Sequence, residues 1–238
     1  MTRYTVALSD DAFRVAVMAA LEAYCVPHGC NKSVNAHTPL ETTGAIWGTT
    51  KTDAFGNLIY QVESVDVDTS AEMQTAAVAQ KPAAIALKTS FTEKFTPHFQ
   101  YLGDFHSHPY SEGEIVAGKK LGTPQHAEQS KVYRFSGTPS PATSDYGSVA
   151  AMRTMGLEYR VGLVVTLFRM RYAVSHPRKA YLDERSAIRL TFNGTGLHGQ
   201  KETFRIWVKA HVFPDPSQAI PVPDQDVILL CPIAGFFG

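Results

Sequence analysis

The polar and apolar positions at the start of the chain alternate first and then repeat with a helical period. The alternation over Tyr4–Leu8 predicts a short β-strand. Ser9 and Asp10 follow as candidate N-caps, and the next segment predicts a helix that ends before Pro27. The residues expected on the buried face of this helix are Phe13, Val17, Leu21 and Tyr24.

A hairpin and a helical region are predicted next. Gly44–Thr50 and Leu58–Asp66 have strand character and are separated by the turn-rich segment Thr52–Asn57. Ala71–Phe99 is rich in Ala, Lys, Thr and Gln, and Pro82 interrupts it, so one or two helices are expected there.

A strand over Phe99–Phe105 is predicted to deliver the tetrapeptide His106-Ser107-His108-Pro109, with Pro109 ending it. The following segment, Tyr110–Pro141, contains repeated glycines and prolines and is interpreted as turns rather than a buried element.

The rest of the chain predicts one helix and several strands. Ser144–Met155 is interpreted as a helix and the apolar Tyr159–Phe168 as a central strand. Further strands are predicted in a β-rich C-terminal part, over Arg171–Ser175, Ala187–Phe192 and Thr203–Phe213. The chain is therefore expected to belong to the α/β class, with a mixed β-sheet flanked by helices.

Composition narrows the range of functions. The 238 residues carry 22 Lys and Arg against 22 Asp and Glu, so the net charge is zero and no diffuse attraction to nucleic acid or membrane surfaces is expected. No apolar run approaches the roughly 20 residues that span a bilayer. The three cysteines, Cys25, Cys30 and Cys231, are too few for a disulfide framework, and a cytoplasmic protein is expected.

His106 and His108 are the residues most suggestive of chemistry. Side chains at positions i and i+2 of a strand point to the same face, so two imidazoles can converge on one metal ion. An exposed pair at a strand end is the simpler interpretation, because the chain has nine histidines. A catalytic zinc needs three protein ligands, an open position for water and a nearby carboxylate that accepts the proton of the water.

Two carboxylates are candidates for these further roles. Asp145 lies at the start of a predicted helix, where the helix dipole alone would stabilise a carboxylate. Glu41 opens the run Glu41-Thr42-Thr43-Gly44-Ala45-Ile46-Trp47-Gly48 just before a predicted strand, where a solvated charge is equally ordinary.

Taken together, these segments resemble the JAMM motif of MPN-domain zinc metallopeptidases. The shared features are Glu41 followed by xxGxxxG, a later strand ending in His106-Ser107-His108-Pro109, and a Pro- and Ser-rich segment leading to Asp145. The resemblance covers about residues 4–168. It implies a cytidine-deaminase-like MPN domain over 1–168, with an insertion at 110–141 and a β-rich extension at 169–238 packed on the core.

The resemblance also implies a mechanism and a substrate. His106, His108 and Asp145 would bind Zn²⁺, and Glu41 would act as general base on the zinc-held water and return the proton to the leaving amine. The enzyme would be a peptidase or isopeptidase that cleaves the bond after the C-terminus of a ubiquitin-like protein.

The sequence departs from the family pattern in two places. Asp145 follows His108 by 37 residues, a longer interval than is typical of the family. The oxyanion serine expected three residues before the aspartate is Ala142, so Ser144 is the candidate replacement, with Ser140 as the alternative.

Other assignments stay open at this stage. Glu114 is a rival third ligand, and Cys25, His28 and Cys30, with His37, are candidates for a second zinc site. His126 lies in the insertion and is interpreted as a surface residue. A non-catalytic MPN scaffold is the main alternative function. A different HxH metal hydrolase is the third, for which His211 is the best-placed further ligand.

Overall fold

The computed structural model of the protein describes residues 3–26, 39–73, 78–137, 145–170, 179–195, 201–215 and 217–237. The strands are β1 Tyr4–Leu8, β2 Thr43–Thr52, β3 Leu58–Val67, β4 Glu72–Met73, β5 Val78–Ala79, β6 Gln100–Ser111, β7 Ile115–Val116, β8 Lys119–Lys120, β9 Val161–Met170, β10 Ala180–Tyr181, β11 Ala187–Thr195, β12 Lys201–Val212 and β13 Val227–Leu230. The helices are α1 Asp10–Cys25, α2 Pro82–Phe95, α3 Pro124–Gln129 and α4 Asp145–Thr154, with 3₁₀ turns at Asp224–Asp226 and Pro232–Ala234.

Nine of these strands form one mixed sheet in the order β10-β11-β12-β9-β6-β2-β3-β1-β13. The β6–β9, β1–β3 and β1–β13 pairs are parallel, and the remaining neighbours are antiparallel. The sheet curls until its two edges meet. The Tyr181 hydroxyl of β10 donates a hydrogen bond to the Leu229 carbonyl of β13 over 2.8 Å. The fold is thus of the α/β class with a mixed sheet, as the sequence predicts.

Helix α1 packs against β3, β6 and β9 on one face of this sheet. The Ser9 hydroxyl accepts a hydrogen bond from the Ala12 N–H at 3.1 Å, which caps the first turn as predicted. Three residues of the predicted apolar face are buried, and Phe13 is half-buried. The helix therefore covers the main hydrophobic core of the sheet.

Two prolines act differently from the prediction. Pro82 does not break a helix but begins α2, where its missing N–H costs no hydrogen bond. Pro109 does not end its strand, since β6 continues to Ser111. The N–H of Ser107 bonds to the carbonyl of Thr42, just before β2. The nitrogen of Pro109, two residues on, points to the same side beyond the last pair of β2. The proline therefore removes no ladder bond there.

The segment predicted as turns is folded in its described part. Besides the β7–β8 hairpin and α3, it buries Leu121, Ala127, Val132 and Tyr133 in a separate cluster against Phe168 and Trp207. The prediction of an unburied segment was therefore wrong for residues 121–135, where apolar side chains pack on the sheet, and it holds for residues 111–120, which are partly or fully exposed.

The C-terminal strands extend the same sheet. Residue 168 lies inside β9, and β12 pairs with β9 along the whole length of β9. The strand predicted over Arg171–Ser175 lies outside the described residues. Within the described part of the chain, no helix is both long and apolar enough to cross a membrane.

Candidate metal centre

Strand β6 carries the two histidines into the interior of the protein. His106 and His108 occupy alternate positions of the strand, so their imidazoles share one face. Both side chains are buried, and their ring centroids lie 4.9 Å apart. They lie beside β9, opposite Val164 and Thr166. The pair is therefore not the exposed strand end of the simpler interpretation.

Helix α4 brings a carboxylate to the two imidazoles. Asp145 is its first residue, and the Asp145 Oδ2 atom lies 3.1 Å from His106 Nε2 and 3.3 Å from His108 Nε2. The three ligand atoms lie within 4.8 Å of one another, a group that could hold a metal ion. The resemblance to the JAMM motif implied this trio, although Asp145 follows His108 only after 37 positions.

The hydrogen bonds of the imidazoles suit metal ligation. His108 Nδ1 lies 3.1 Å from the Val132 carbonyl oxygen. Because a carbonyl only accepts, Nδ1 carries a proton, and Nε2 is the ring nitrogen that lies on the side of Asp145. His106 Nε2 is buried as well, and it lies 3.1 Å from Asp145 Oδ2. Two such nitrogens and one carboxylate oxygen fit the donor set of a catalytic zinc with one open position.

The charges of the trio are strongly coupled. Burial alone would lower the pKa of His106, but the Asp145 carboxylate outweighs it and raises that pKa to about 9. Burial would raise the pKa of Asp145, yet the imidazoles of His106 and His108 hold it far below its usual range. Asp145 is thus an anion at neutral pH, as a metal ligand must be.

Glu41 lies beside the same pair of histidines. Glu41 lies two residues before Thr43, the residue of β2 that pairs with His106. Glu41 is half-buried, and desolvation raises its pKa against the opposing pull of the two histidines. A carboxylate with a raised pKa next to a candidate metal site is suited to proton transfer.

Residues 132–136 of the insertion are a part of the site that no motif predicts. Besides the Val132 contact, the Ser136 N–H donates to Asp145 Oδ2 over 2.5 Å, and the Phe135 ring lies 5.2 Å from the His106 ring. Two of these contacts use backbone atoms, which no motif records. The only signal is the apolar run Val132-Tyr133 and Phe135 among glycines and prolines.

The rival ligands do not join the group. Glu114 Oε1 accepts the Ser111 N–H at 2.8 Å and closes its own turn. His126 is exposed, as expected. His211 is buried, and its Nε2 accepts the Phe135 N–H at 3.3 Å. Cys25 and Cys231 are free thiols. Outside the described residues lie Ser144, Ser140, Ala142, His28, Cys30 and His37.

Comparisons with known proteins add little. No family model and no curated protein matches the sequence. Among solved structures, the chain is similar to the N-terminal domain of STIL from Trichoplax adhaerens, with 11% identity over 79% of this chain and a TM-score of 0.27. The chain spans only 41% of the length of that protein chain. So slight a likeness bears on neither fold nor function.

Proposed function

We propose that this protein is a zinc-dependent peptidase or isopeptidase of the JAMM type, built on an MPN domain. The observation that carries the proposal is the convergence of His106 and His108 with Asp145, which is distant from them in sequence, into one group that could hold a metal ion. Glu41, half-buried and near both histidines, would supply the fourth group that such a hydrolase needs.

The protein residues divide the work of the reaction among them. His106, His108 and Asp145 would hold the zinc, which when bound would act as a Lewis acid on the scissile carbonyl. Glu41 would take a proton from the attacking water and pass it to the leaving amine. Burial raises the pKa of Glu41, which favours its taking up a proton from water.

The substrate class follows from the family resemblance. We propose that the scissile bond is the amide after the C-terminal tail of a ubiquitin-like protein. The zero net charge of the chain supports recognition of a protein by shape and apolar contact over attraction to a polyanion.

The first experiment measures zinc content and hydrolysis together. The full chain is dialysed against Zn²⁺, and bound zinc is counted by elemental analysis. Cleavage of ubiquitin-like proteins carrying a C-terminal fluorogenic amide is followed in parallel. We expect one zinc per chain, and Glu41→Gln should keep the zinc and lose turnover by about 10²- to 10⁴-fold.

His106→Ala is the matched variant, because it should lose zinc and turnover together. Full turnover in Glu41→Gln would exclude Glu41 as the base. A folded wild-type chain that takes up no zinc would contradict the proposal and favour the non-catalytic scaffold.

A further inference from the structure

Residues 132–136, here called the ligand-facing loop, contact the metal-ligand trio from the side of the insertion. The Val132 carbonyl accepts a hydrogen bond from the His108 Nδ1–H at 3.1 Å. The Ser136 N–H donates to Asp145 Oδ2. These two bonds fix the tautomer of one ligand and the position of the carboxylate. Partners of this kind orient metal ligands in proteins.

The ligand-facing loop is itself held by a charged side chain at its centre. The Phe135 ring packs on the His106 ring, so the loop contacts the third ligand as well. The Arg134 guanidinium forms ion pairs with Glu184 and with Asp224, the latter at 2.9 Å. Both acids belong to the C-terminal part of the chain, far from the insertion in sequence.

A buried lysine completes the cluster. Lys209 of β12 is fully buried, lies 3.1 Å from Glu184 and is ion-paired with Asp224 as well. Arg134, Glu184, Lys209 and Asp224 therefore form a closed ring of alternating charge. Because Lys209 holds the Glu184 and Asp224 carboxylates in place, the two acids form a fixed anionic binding site for the planar Arg134 guanidinium.

From this geometry we infer that Arg134 is a positioning residue that sets the metal affinity of the site through the ligand-facing loop. The inference rests on the proposed function in so far as the trio binds a metal ion. Its physical basis is that two of the loop's contacts come from backbone atoms. Those atoms keep their places only if the loop does, and Arg134 ties the loop to the sheet.

The test compares zinc affinities measured by chelator competition on the full chain. We expect Arg134→Ala to bind zinc about 10- to 100-fold more weakly than the wild type. Arg134→Lys keeps the charge without the fork, so its affinity should lie between the two. The matched control is Arg189→Ala. It removes the 3.0 Å ion pair between Arg189 of β11 and Glu128, which lies in the same insertion as Arg134. That control should leave zinc affinity unchanged.

A spectroscopic readout tests positioning independently of zinc. Side-chain ¹⁵N NMR reports which nitrogen of His108 carries the proton, with signals assigned by single histidine replacements. The wild type should show the proton on Nδ1, which donates a hydrogen bond to the Val132 carbonyl. Arg134→Ala should show a mixture of tautomers, because the loop carbonyl is no longer held in place.

The outcomes separate this inference from the proposed function. An Arg134→Ala chain with wild-type zinc affinity and the wild-type tautomer would overturn the inference and leave the proposed function intact. Equal losses in Arg134→Ala and Arg189→Ala would also overturn it, since general packing of the insertion would then set the affinity. If the wild type binds no zinc, the proposed function fails and the His108 tautomer still decides whether Arg134 positions the loop.

Should Arg134→Ala fail to fold, Glu184→Gln provides the same comparison. It removes one of the two negative charges that bind Arg134 and keeps the shape of the residue 184 side chain. Weaker zinc binding and a mixed His108 tautomer in Glu184→Gln would support the inference, and wild-type values in both would overturn it.

Discussion

Thr42 and Ser107 are joined by two hydrogen bonds. The Thr42 N–H donates to Ser107 Oγ, and the Ser107 N–H donates to the Thr42 carbonyl, each over 2.9 Å. Thr42 directly follows Glu41, and Ser107 lies between the two histidines. This buried pair of bonds therefore fixes the distance between the proposed base and the metal ligands.

Replacing Ser107 by alanine should separate catalysis from metal binding. The Thr42 N–H would lose its buried acceptor, at a cost of about 1–3 kcal/mol in the free energy of unfolding. The strand that carries both histidines stays intact, so zinc affinity should change less than turnover, which depends on the placement of Glu41. Urea unfolding, chelator competition and turnover of the same preparation measure the three quantities. Ser64→Ala, a half-buried serine of β3, is the control, and equal losses of affinity and turnover would contradict the prediction.

Strand periodicity is enough to place His106 and His108 on one face, and the helix that starts at Asp145 is visible in the sequence. The meeting of these elements rests on parallel pairing of β6 with β9 and on the ligand-facing loop. Periodicity carries no information on such distant pairings. The prediction that Pro109 ends the strand was wrong for the same reason, since a proline is tolerated in a strand once the neighbouring strand has ended.

Gly48, part of the motif that follows Glu41, should tolerate no side chain. A Cβ atom there would collide with the Gln61 carbonyl of β3, at the irregular register between Trp47 and Gly48. Neither strand can move, because both lie inside the nine-stranded sheet. We expect Gly48→Ala to cost about 3 kcal/mol or more in the free energy of unfolding.

Urea unfolding of the purified variant, or its soluble yield, measures this effect. Gly122→Ala is the control, because the nearest atom to its Cβ would be His126 Nδ1 at 3.4 Å, an ordinary contact. That control should change the free energy of unfolding by less than about 1 kcal/mol. Similar stabilities for the two variants would show that β2 and β3 are less closely packed than the structure indicates.

The two kinds of ion pair in this protein should differ in their effect on stability. Lys209→Ala leaves Glu184 and Asp224 without their buried cation, at an expected cost of about 3–5 kcal/mol. Arg14→Ala removes an ion pair with Asp11 in which both side chains are more than half exposed, at an expected cost below about 1 kcal/mol. Chemical denaturation of both variants gives the comparison, and equal costs would mean that water reaches the Lys209 cluster.

His211 should make the protein sensitive to mild acid. Burial, helped by the nearby Lys209 charge, lowers the pKa of His211 from 6.5 to about 3. His211 is therefore protonated below pH 6.5 in the unfolded chain, but only below about pH 3 in the native chain. As the pH decreases from 6.5 to about 3, this histidine therefore lowers the free energy of unfolding by about 1.4 kcal/mol per pH unit.

His211→Gln should remove this sensitivity while keeping an acceptor for the Phe135 N–H. The comparison is the free energy of unfolding of wild type and variant between pH 7.5 and 5. Relative to the wild type, the variant should gain about 1.4 kcal/mol by pH 5.5. His98→Gln, at an exposed histidine outside this cluster, is the control for the substitution itself. A constant difference between wild type and His211→Gln across this range would mean that His211 is protonated equally in the folded and unfolded chains.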